Sequence, residues 1–485
     1  MGAWSLSLFY LSTRDARRPP ERLAFDAVLL AGLAADGGLY VPEAWPTFDA
    51  AQLRALRGRS YGEVAAAVMA PFLGGAIDAA QLRVLVDAAY RNFHHPAVAP
   101  LRQLDSNLWL LELFHGPTLA FKDYALQLVG LLFDHVLTRR RQRVTIIGAT
   151  SGDTGSAAME ACRDREALDV FILYPEGRIT DVQRRQMTTI PAANVHAIAI
   201  EGTFDDCQDL VKAMFADVRF RAQHNLSAVN SINWARIMTQ VVYYVTAALA
   251  LGAPDRAVAF SVPTGNFGNV YAAHVARCMG LPISDLVIGT NRNDILARFL
   301  NDGTMTMAGV EPSLSPSMDI QISSNFERLY FELKGRDGAA VAAAFKTFRA
   351  TGTLPVSDTE WRGARTLFEA HRVDDEQTLA EIANTYLSTG ALLDPHSAIA
   401  VAAARRAGGD PAVPMIALAC AHPAKFPAAV ERATGVHPPL PPELSDLYDR
   451  PERRTVLPKD LAAIERFIVE RARPVAAPAG AQGGV

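Results

Sequence analysis

From residue 143 to residue 218, short apolar runs rich in β-branched residues alternate with amphipathic stretches. "RVTIIGAT" is followed by "GSAAMEACRDR", "VFILYP" by "TDVQRRQMTTI", and "VHAIAIEG" by "FDDCQDLVKAMFADV". A strand that is apolar along its whole length must be covered on both faces, and helices between successive strands supply that cover. The pattern begins near Asn107 and is interrupted by the long apolar helix "NWARIMTQVVYYVTAALAL". It resumes with "AVAFSVPTGNFGNVYAAHVARCMG" and "LVIGTNRNDILARFL", and "VPMIALACAHPA" is the last strand-like run. The expected fold class is α/β: two doubly wound, mostly parallel sheet domains with the functional site between them, plus a helical N-terminal region. No internal sequence repeat underlies the alternation.

The expected segmentation has four parts. Residues 1–95 read as short helices and turns, with "DGGLYVP" as a glycine-marked turn into an extended piece. Residues 96–235 and 236–470 form the two α/β domains, and 471–485 a low-complexity tail expected to be mobile. A chain of 485 residues is too long for one simple core. Its 50% hydrophobic and 20% charged content is that of a folded, soluble protein. The formal charge of -4 argues against a nucleic-acid partner, which would need a basic face. The basic run Arg139, Arg140, Arg141 and Arg143 reads as a solvated turn at a helix end.

Cys162, Cys207, Cys278 and Cys420 form no C-x-x-C pair and no metal-ligand spacing, so no metal is expected and a reduced, cytoplasmic compartment fits. The N-terminus has no basic segment before its short apolar stretch, so no secretory signal is expected. "VVYYVTAALALG" falls well short of the roughly 20 residues of a membrane span. A small-molecule ligand is the expected partner, with no membrane or nucleic acid. Whether the chain is a monomer or a homodimer is open at this point.

Of 47 basic residues only six are lysines: Lys122, Lys212, Lys334, Lys346, Lys425 and Lys459. Lys122 stands in "FHGPTLAFKDYALQLVG", between an apolar triplet and a helix-like apolar run. A chain that solvates its surface with arginine has little reason to place a lone lysine there. Arginine stays protonated, whereas a desolvated lysine can lose its proton and attack a carbonyl. Lys122 is therefore a candidate for a Schiff base.

Ligands of doubly wound sheets sit outside the carboxyl ends of the strands. Four loops qualify: "GATSGDTGSAA", "AVNSINWAR", "SVPTGNFGN" and "LACAHPAKF". In "GNFGN", Gly265 and Gly268 let the backbone approach an anion at a helix N-terminus, although a tight strand-to-helix turn reads the same way. It is neither a dinucleotide fingerprint nor a Walker loop. In "TSGDTG", Ser151, Asp153 and Thr154 suit a carboxylate, or simply cap a helix. Arg236, six residues after Asn230, can fork onto a phosphate or lie on a helix surface. His115, His396 and His422 read by default as hydrogen-bonded structural residues.

Together these segments resemble the threonine synthase family, pyridoxal-phosphate enzymes whose fold is shared with tryptophan synthase β-subunits and cysteine synthases. The resemblance runs in order through "STRD", "DGGLYVP", "HGPTLAFKDYALQ", "TSGDTGSAA", "NSINWAR", "GNFGN", "SPSMDIQISSNFERL", "DPHSA" and "AHPAKF". It implies a lyase of threonine biosynthesis that turns O-phospho-L-homoserine and water into L-threonine and phosphate by β,γ-elimination and β-hydration. It implies pyridoxal 5'-phosphate as cofactor, with Lys122 as the Schiff-base lysine and proton-transfer base. Gly265, Asn266, Phe267, Gly268 and Asn269 would hold the cofactor phosphate. Ser151, Gly152, Asp153 and Thr154 would bind the substrate carboxylate, with Asp153 approaching the cofactor's phenolic oxygen. Asn230, Ser231 and Arg236 would take the substrate phosphate.

Two residues depart from the family pattern: Asp15 in "STRD", where glycine is usual, and Cys420, where a threonine usually faces the pyridine nitrogen. Rival readings are a serine/threonine dehydratase or cysteine synthase of the same fold, and a non-catalytic nucleotide-binding or interaction protein.

Overall fold

A computed structural model describes residues 8–228 and 231–474. The chain forms two compact units, and sequence order does not follow the division. The first unit takes residues 1–125 and 231–439; the second takes 126–230 and 440–485. The cut falls inside the helix Lys122–Arg140.

The first unit opens with an antiparallel pair, Tyr10–Ser12 against Tyr40–Pro42, among the helices Phe25–Ala31, Ala50–Ala55, Tyr61–Met69 and Ala79–Tyr90. Its main sheet has six strands in the order Glu369–Arg372, Ile283–Thr290, Val258–Pro263, Met415–Ala419, Leu108–Glu112, Leu101–Gln103. Only the last pair is antiparallel. Leu108, Leu110, Ala417 and Ala419 bury one face of this sheet against Ala398, Ala400 and Val401 of the helix Pro395–Arg406.

The second unit carries a five-stranded parallel sheet in the order Arg454–Pro458, Val195–Glu201, Leu168–Pro175, Val144–Ala149, Leu226–Ser227. The strand Leu168–Pro175 is buried at every position, as an apolar strand covered on both faces must be. Ile147, Phe171 and Ile198 pack with Cys207, Leu210 and Met214 of the helix Phe204–Ala216.

One expectation needs correction. "VPMIALACAHPA" is not the last strand: Arg454–Pro458 follows it and pairs in parallel with Val195–Glu201. "RTVLP" has no apolar run to announce it, because it is a half-exposed edge strand ending in proline. Of the basic run, Arg139 and Arg140 are exposed in the last turn of the helix and Arg141 just beyond it, whereas Arg143 is half-buried at the foot of the strand Val144–Ala149 with its Nη1 out of solvent, so the solvated-turn reading holds for the first three only. Most of the tail expected to be mobile lies outside the described residues.

Candidate active site

In the first unit the strands Val258–Pro263, Met415–Ala419 and Leu108–Glu112 end at one edge of the sheet, where their parallel registers bring three loops together. These loops carry "GNFGN", "CAHPAKF" and "HGPTLAFK". Two of them zip into each other ahead of the catalytic candidate. Ala120 bridges Ala421 antiparallel, Phe121 N–H donates to the Cys420 carbonyl at 2.8 Å, and His422 N–H donates to the Leu119 carbonyl at 3.0 Å. The turn before it is closed by Asp123, which accepts from Thr118 N–H at 2.8 Å and from the Thr118 hydroxyl at 2.6 Å. Only glycine fits at 116, since a Cβ there would lie 2.5 Å from the Asp123 Cβ.

Lys122 is thus the first residue of a helix, held from both sides, and is only 7% exposed. Its Nζ lies 3.4 Å from the Ser317 hydroxyl and 5.1 Å from the centre of the Phe121 ring. Lys425 is the other buried lysine, with its Nζ 2.7 Å from the Thr118 carbonyl, where it supports the turn.

The "GNFGN" loop begins the helix Gly268–Cys278, with Phe267 in the left-handed conformation (φ 63°). Among the described residues, none of the amide N–H groups from Gly265 to Asn269 finds a partner. Successive open amides at a helix N-terminus form an anion cradle. A polar strap, residues 313–325, braces the loop from outside. Ser323 donates to the Gly265 carbonyl at 2.7 Å, and Asn325 donates from its amide side chain to the carbonyls of Asn266 (3.0 Å) and Ser231 (3.2 Å). A Cβ at Gly265 would come within 3.1 Å of the strap backbone at Ser317 and Met318. The strap is itself anchored by Asp319, which accepts from Asn291 at 2.7 Å and from the Ser313 hydroxyl at 2.6 Å.

Asn269 is oriented by its neighbours. Its Oδ1 accepts from the Tyr243 and Tyr244 hydroxyls, so its Nδ2 faces the Cys420 sulfur at 3.8 Å. Two turns before Tyr243 on the same helix stands Arg236. It is 4% exposed, and its Nε and Nη1 have no partner among the described residues. Burial pulls its pKa down to about 10, with Tyr243 opposing the shift, so it is a cation at neutral pH. A buried cation without a counter-charge is costly in the empty protein and is a ready receptor for an anion.

In the second unit, "TSGDTG" follows the strand Val144–Ala149. Thr150 Oγ1 accepts from the N–H groups of Gly152 (3.0 Å) and Gly155 (2.8 Å), which removes those two donors from any ligand. Asp153 accepts from Gln183 at 2.9 Å. Gly152 has φ 130°, and a Cβ there would sit 2.3 Å from the Gln183 carboxamide, so the residue must be glycine. Among the described residues, the hydroxyls of Ser151 and Thr154 find no hydrogen-bond partner.

The first unit therefore brings together Lys122, Cys420, Gly265–Asn269 and, through Asn325, Ser231. Asn230 lies outside the described residues. Sequence reasoning missed Ser317, Asn325, Tyr243, Tyr244 and Gln183. "SPSMDIQISSNFERL" stood out as a segment, but no pattern in it points to those contacts. The three histidines carry hydrogen bonds: His115 with Glu112 at 2.9 Å, His396 with Asp394 at 2.7 Å, and His422 from Ala424 N–H at 3.2 Å. A buried amine and an amide cradle, joined through Ser317, fit an aldehyde cofactor that carries a phosphate.

The comparisons agree. Residues 9–90 match the family model "Threonine synthase N terminus", 94–354 match "Pyridoxal-phosphate dependent enzyme", and 397–468 match "Threonine synthase, C-terminal". The threonine synthase of Pseudomonas aeruginosa is 57% identical over 460 residues, which cover 95% of this chain and 97% of that protein. The crystal structure of PLP-bound threonine synthase from Brucella melitensis superposes with a TM-score of 0.94 at 55% identity, over 96% of this chain and 100% of the other. The yeast threonine synthase structure follows with a TM-score of 0.91 at 39% identity, over 97% and 99%.

Proposed function

The chain belongs to the threonine synthase family of pyridoxal-phosphate-dependent enzymes, and on that premise we propose that it converts O-phospho-L-homoserine and water into L-threonine and inorganic phosphate. The observation that carries the choice of substrate is the buried guanidinium of Arg236, whose Nε and Nη1 have no partner among the described residues. The amide cradle at Gly265–Asn269 would hold the cofactor's phosphate. A second, separate cation then calls for a substrate with a phosphate of its own.

Bound pyridoxal phosphate supplies an electron sink for the substrate's carbon centres. The rest is done by side chains. Lys122 would hold the cofactor, take the proton from the substrate α-carbon, hand it on to the carbon of the cofactor that bore the aldehyde, and, neutral again, take one from the β-carbon. Arg236 and Ser231, with Asn230, would hold the substrate phosphate until it leaves the γ-carbon; the γ-carbon takes up a proton in its place, water adds its hydroxyl at the β-carbon, and the α-carbon regains its proton. Ser151 and Thr154 would orient the substrate carboxylate with hydroxyls that no other described residue engages. Asp153, steadied by Gln183, would be the residue that approaches the cofactor's phenolic oxygen. The four cysteines are free thiols, as a cytosolic protein keeps them. Among the described residues no helix is long and apolar enough to cross a membrane.

The test is a product assay with O-phospho-L-homoserine. Phosphate and threonine should appear in equal amounts. Deamination of serine or threonine, with no phosphate released from O-phosphohomoserine, would establish the dehydratase reading instead.

Cys420 gives a finer check. It faces the cofactor's pyridine nitrogen in this reading, and its sulfur is a weak acceptor for the Asn269 amide. Cys420→Thr is expected to keep most activity, since it supplies a stronger acceptor in the same place. Cys420→Asp is expected to bind cofactor but shift its visible absorption, because a carboxylate would favour a protonated ring nitrogen. An unchanged spectrum in Cys420→Asp would place the residue away from the ring.

A further inference from the structure

The fully buried carboxylate of Asp394 braces the surroundings of Lys122 on two sides. One oxygen accepts from His396 Nδ1 at 2.7 Å, and His396 Nε2 accepts from Ser317 N–H at 3.4 Å. The other oxygen accepts from the Ser397 hydroxyl, which accepts in turn from Cys420 N–H at 3.1 Å. A backbone N–H can only donate, so Ser317 and Asp394 together fix His396 in the tautomer with the proton on Nδ1. Ser317 presents its hydroxyl to Lys122 Nζ at 3.4 Å, and the Cys420 carbonyl holds the residue just before the lysine. Neither Ser317 nor the Asp394–His396 pair has a part in the reaction as described above.

We propose that the Ser317 hydroxyl is the seat of the Lys122 amine whenever the lysine is not bonded to the cofactor, and that Asp394 and His396 are positioning residues for that seat. The inference rests on the reading that Lys122 carries the cofactor. An unbonded lysine has four rotatable bonds and must stay close enough to move protons and to bond the cofactor again. A hydroxyl holds the amine without favouring its charged form. A carboxylate in the same place would raise the lysine pKa and blunt it as base and nucleophile. The strap thus has two tasks, since Ser323 and Asn325 brace the phosphate cradle while Ser317 reaches the lysine.

The test uses full-length apoenzyme mixed with pyridoxal phosphate, with the rise of the visible band followed in time. It needs no substrate, so an error in the assigned substrate leaves it intact. Ser317→Ala should slow the band about tenfold, the equivalent of one hydrogen bond to an amine, while Ser317→Thr stays within about twofold of the native rate. Equilibrium affinity for cofactor should be little changed in both. His396→Ala should slow the band like Ser317→Ala, and the double variant should be no slower than either single one. A Ser317→Ala rate within about twofold of native would overturn the proposal. So would equal slowing in Ser317→Ala and Ser317→Thr together with lost affinity, because that pattern belongs to a strap that only supports the phosphate cradle. If the native apoenzyme develops no band on Lys122, the parent reading fails first and the proposal with it.

Discussion

Lys122→Ala is expected to make no detectable threonine, a fall of at least about 10⁴-fold, while remaining folded. The side chain starts a helix whose backbone is held by Cys420 and whose turn is closed by Asp123 and Lys425, and none of these contacts uses the lysine amine. Stability should therefore change little, and the visible cofactor band should be lost. Lys122→Arg should be equally inactive, because guanidinium stays protonated and does not bond the aldehyde. Threonine formation by either variant above the solution background would remove Lys122 from the reaction.

Arg236→Leu is expected to act in opposite directions on substrate capture and on stability. The loss of a charge-assisted pair in a desolvated site costs about 2–5 kcal/mol, so kcat/KM for O-phosphohomoserine should fall roughly 30-fold to several thousand-fold. In the empty protein, however, Arg236 is a buried cation with two nitrogens that have no partner among the described residues. Its replacement by an apolar side chain of fitting size should leave the apoenzyme's Tm unchanged or raise it. Cofactor affinity should stay near native, since the cradle is made of backbone amides at Gly265–Asn269. A variant that loses cofactor but keeps substrate affinity in the residual holoenzyme would show that the two phosphate sites are assigned the wrong way round.

The alternation of apolar strands and amphipathic helices made both parallel sheets legible, because a strand covered on two faces leaves a continuous apolar run. Edge strands leave no such run. "EAHR" at Glu369–Arg372 and "RTVLP" at Arg454–Pro458 each show one face to solvent, and only their neighbours reveal them as strands. The "GNFGN" loop was legible because its glycines and its strand-to-helix position have one physical use in common, the close approach of an anion. The sequence left two meanings open for Arg236, and burial decides between them: its helix is buried on nearly every side, so no surface position exists there. The supporting residues were hidden for a different reason. Ser317, Asn325 and Gln183 act through side-chain bonds to distant loops, and such bonds follow no periodicity. The strap has no regular element beyond a single 3₁₀ turn at Pro316–Met318, so its polar residues read as an ordinary loop.

Two lysines in this chain stand in apolar company, and composition alone does not choose between them. Lys425 is even more deeply buried than Lys122, but its Nζ is committed to the Thr118 carbonyl under the turn, whereas the Lys122 Nζ lies against the hydroxyl of the strap that walls the phosphate cradle. Borohydride reduction of the holoenzyme, followed by mass mapping of its peptides, distinguishes them directly. The mass of the reduced cofactor is expected on the peptide that contains Lys122, with none on the peptide that contains Lys425. Cofactor mass on Lys425 or on any other lysine would contradict the assignment of Lys122.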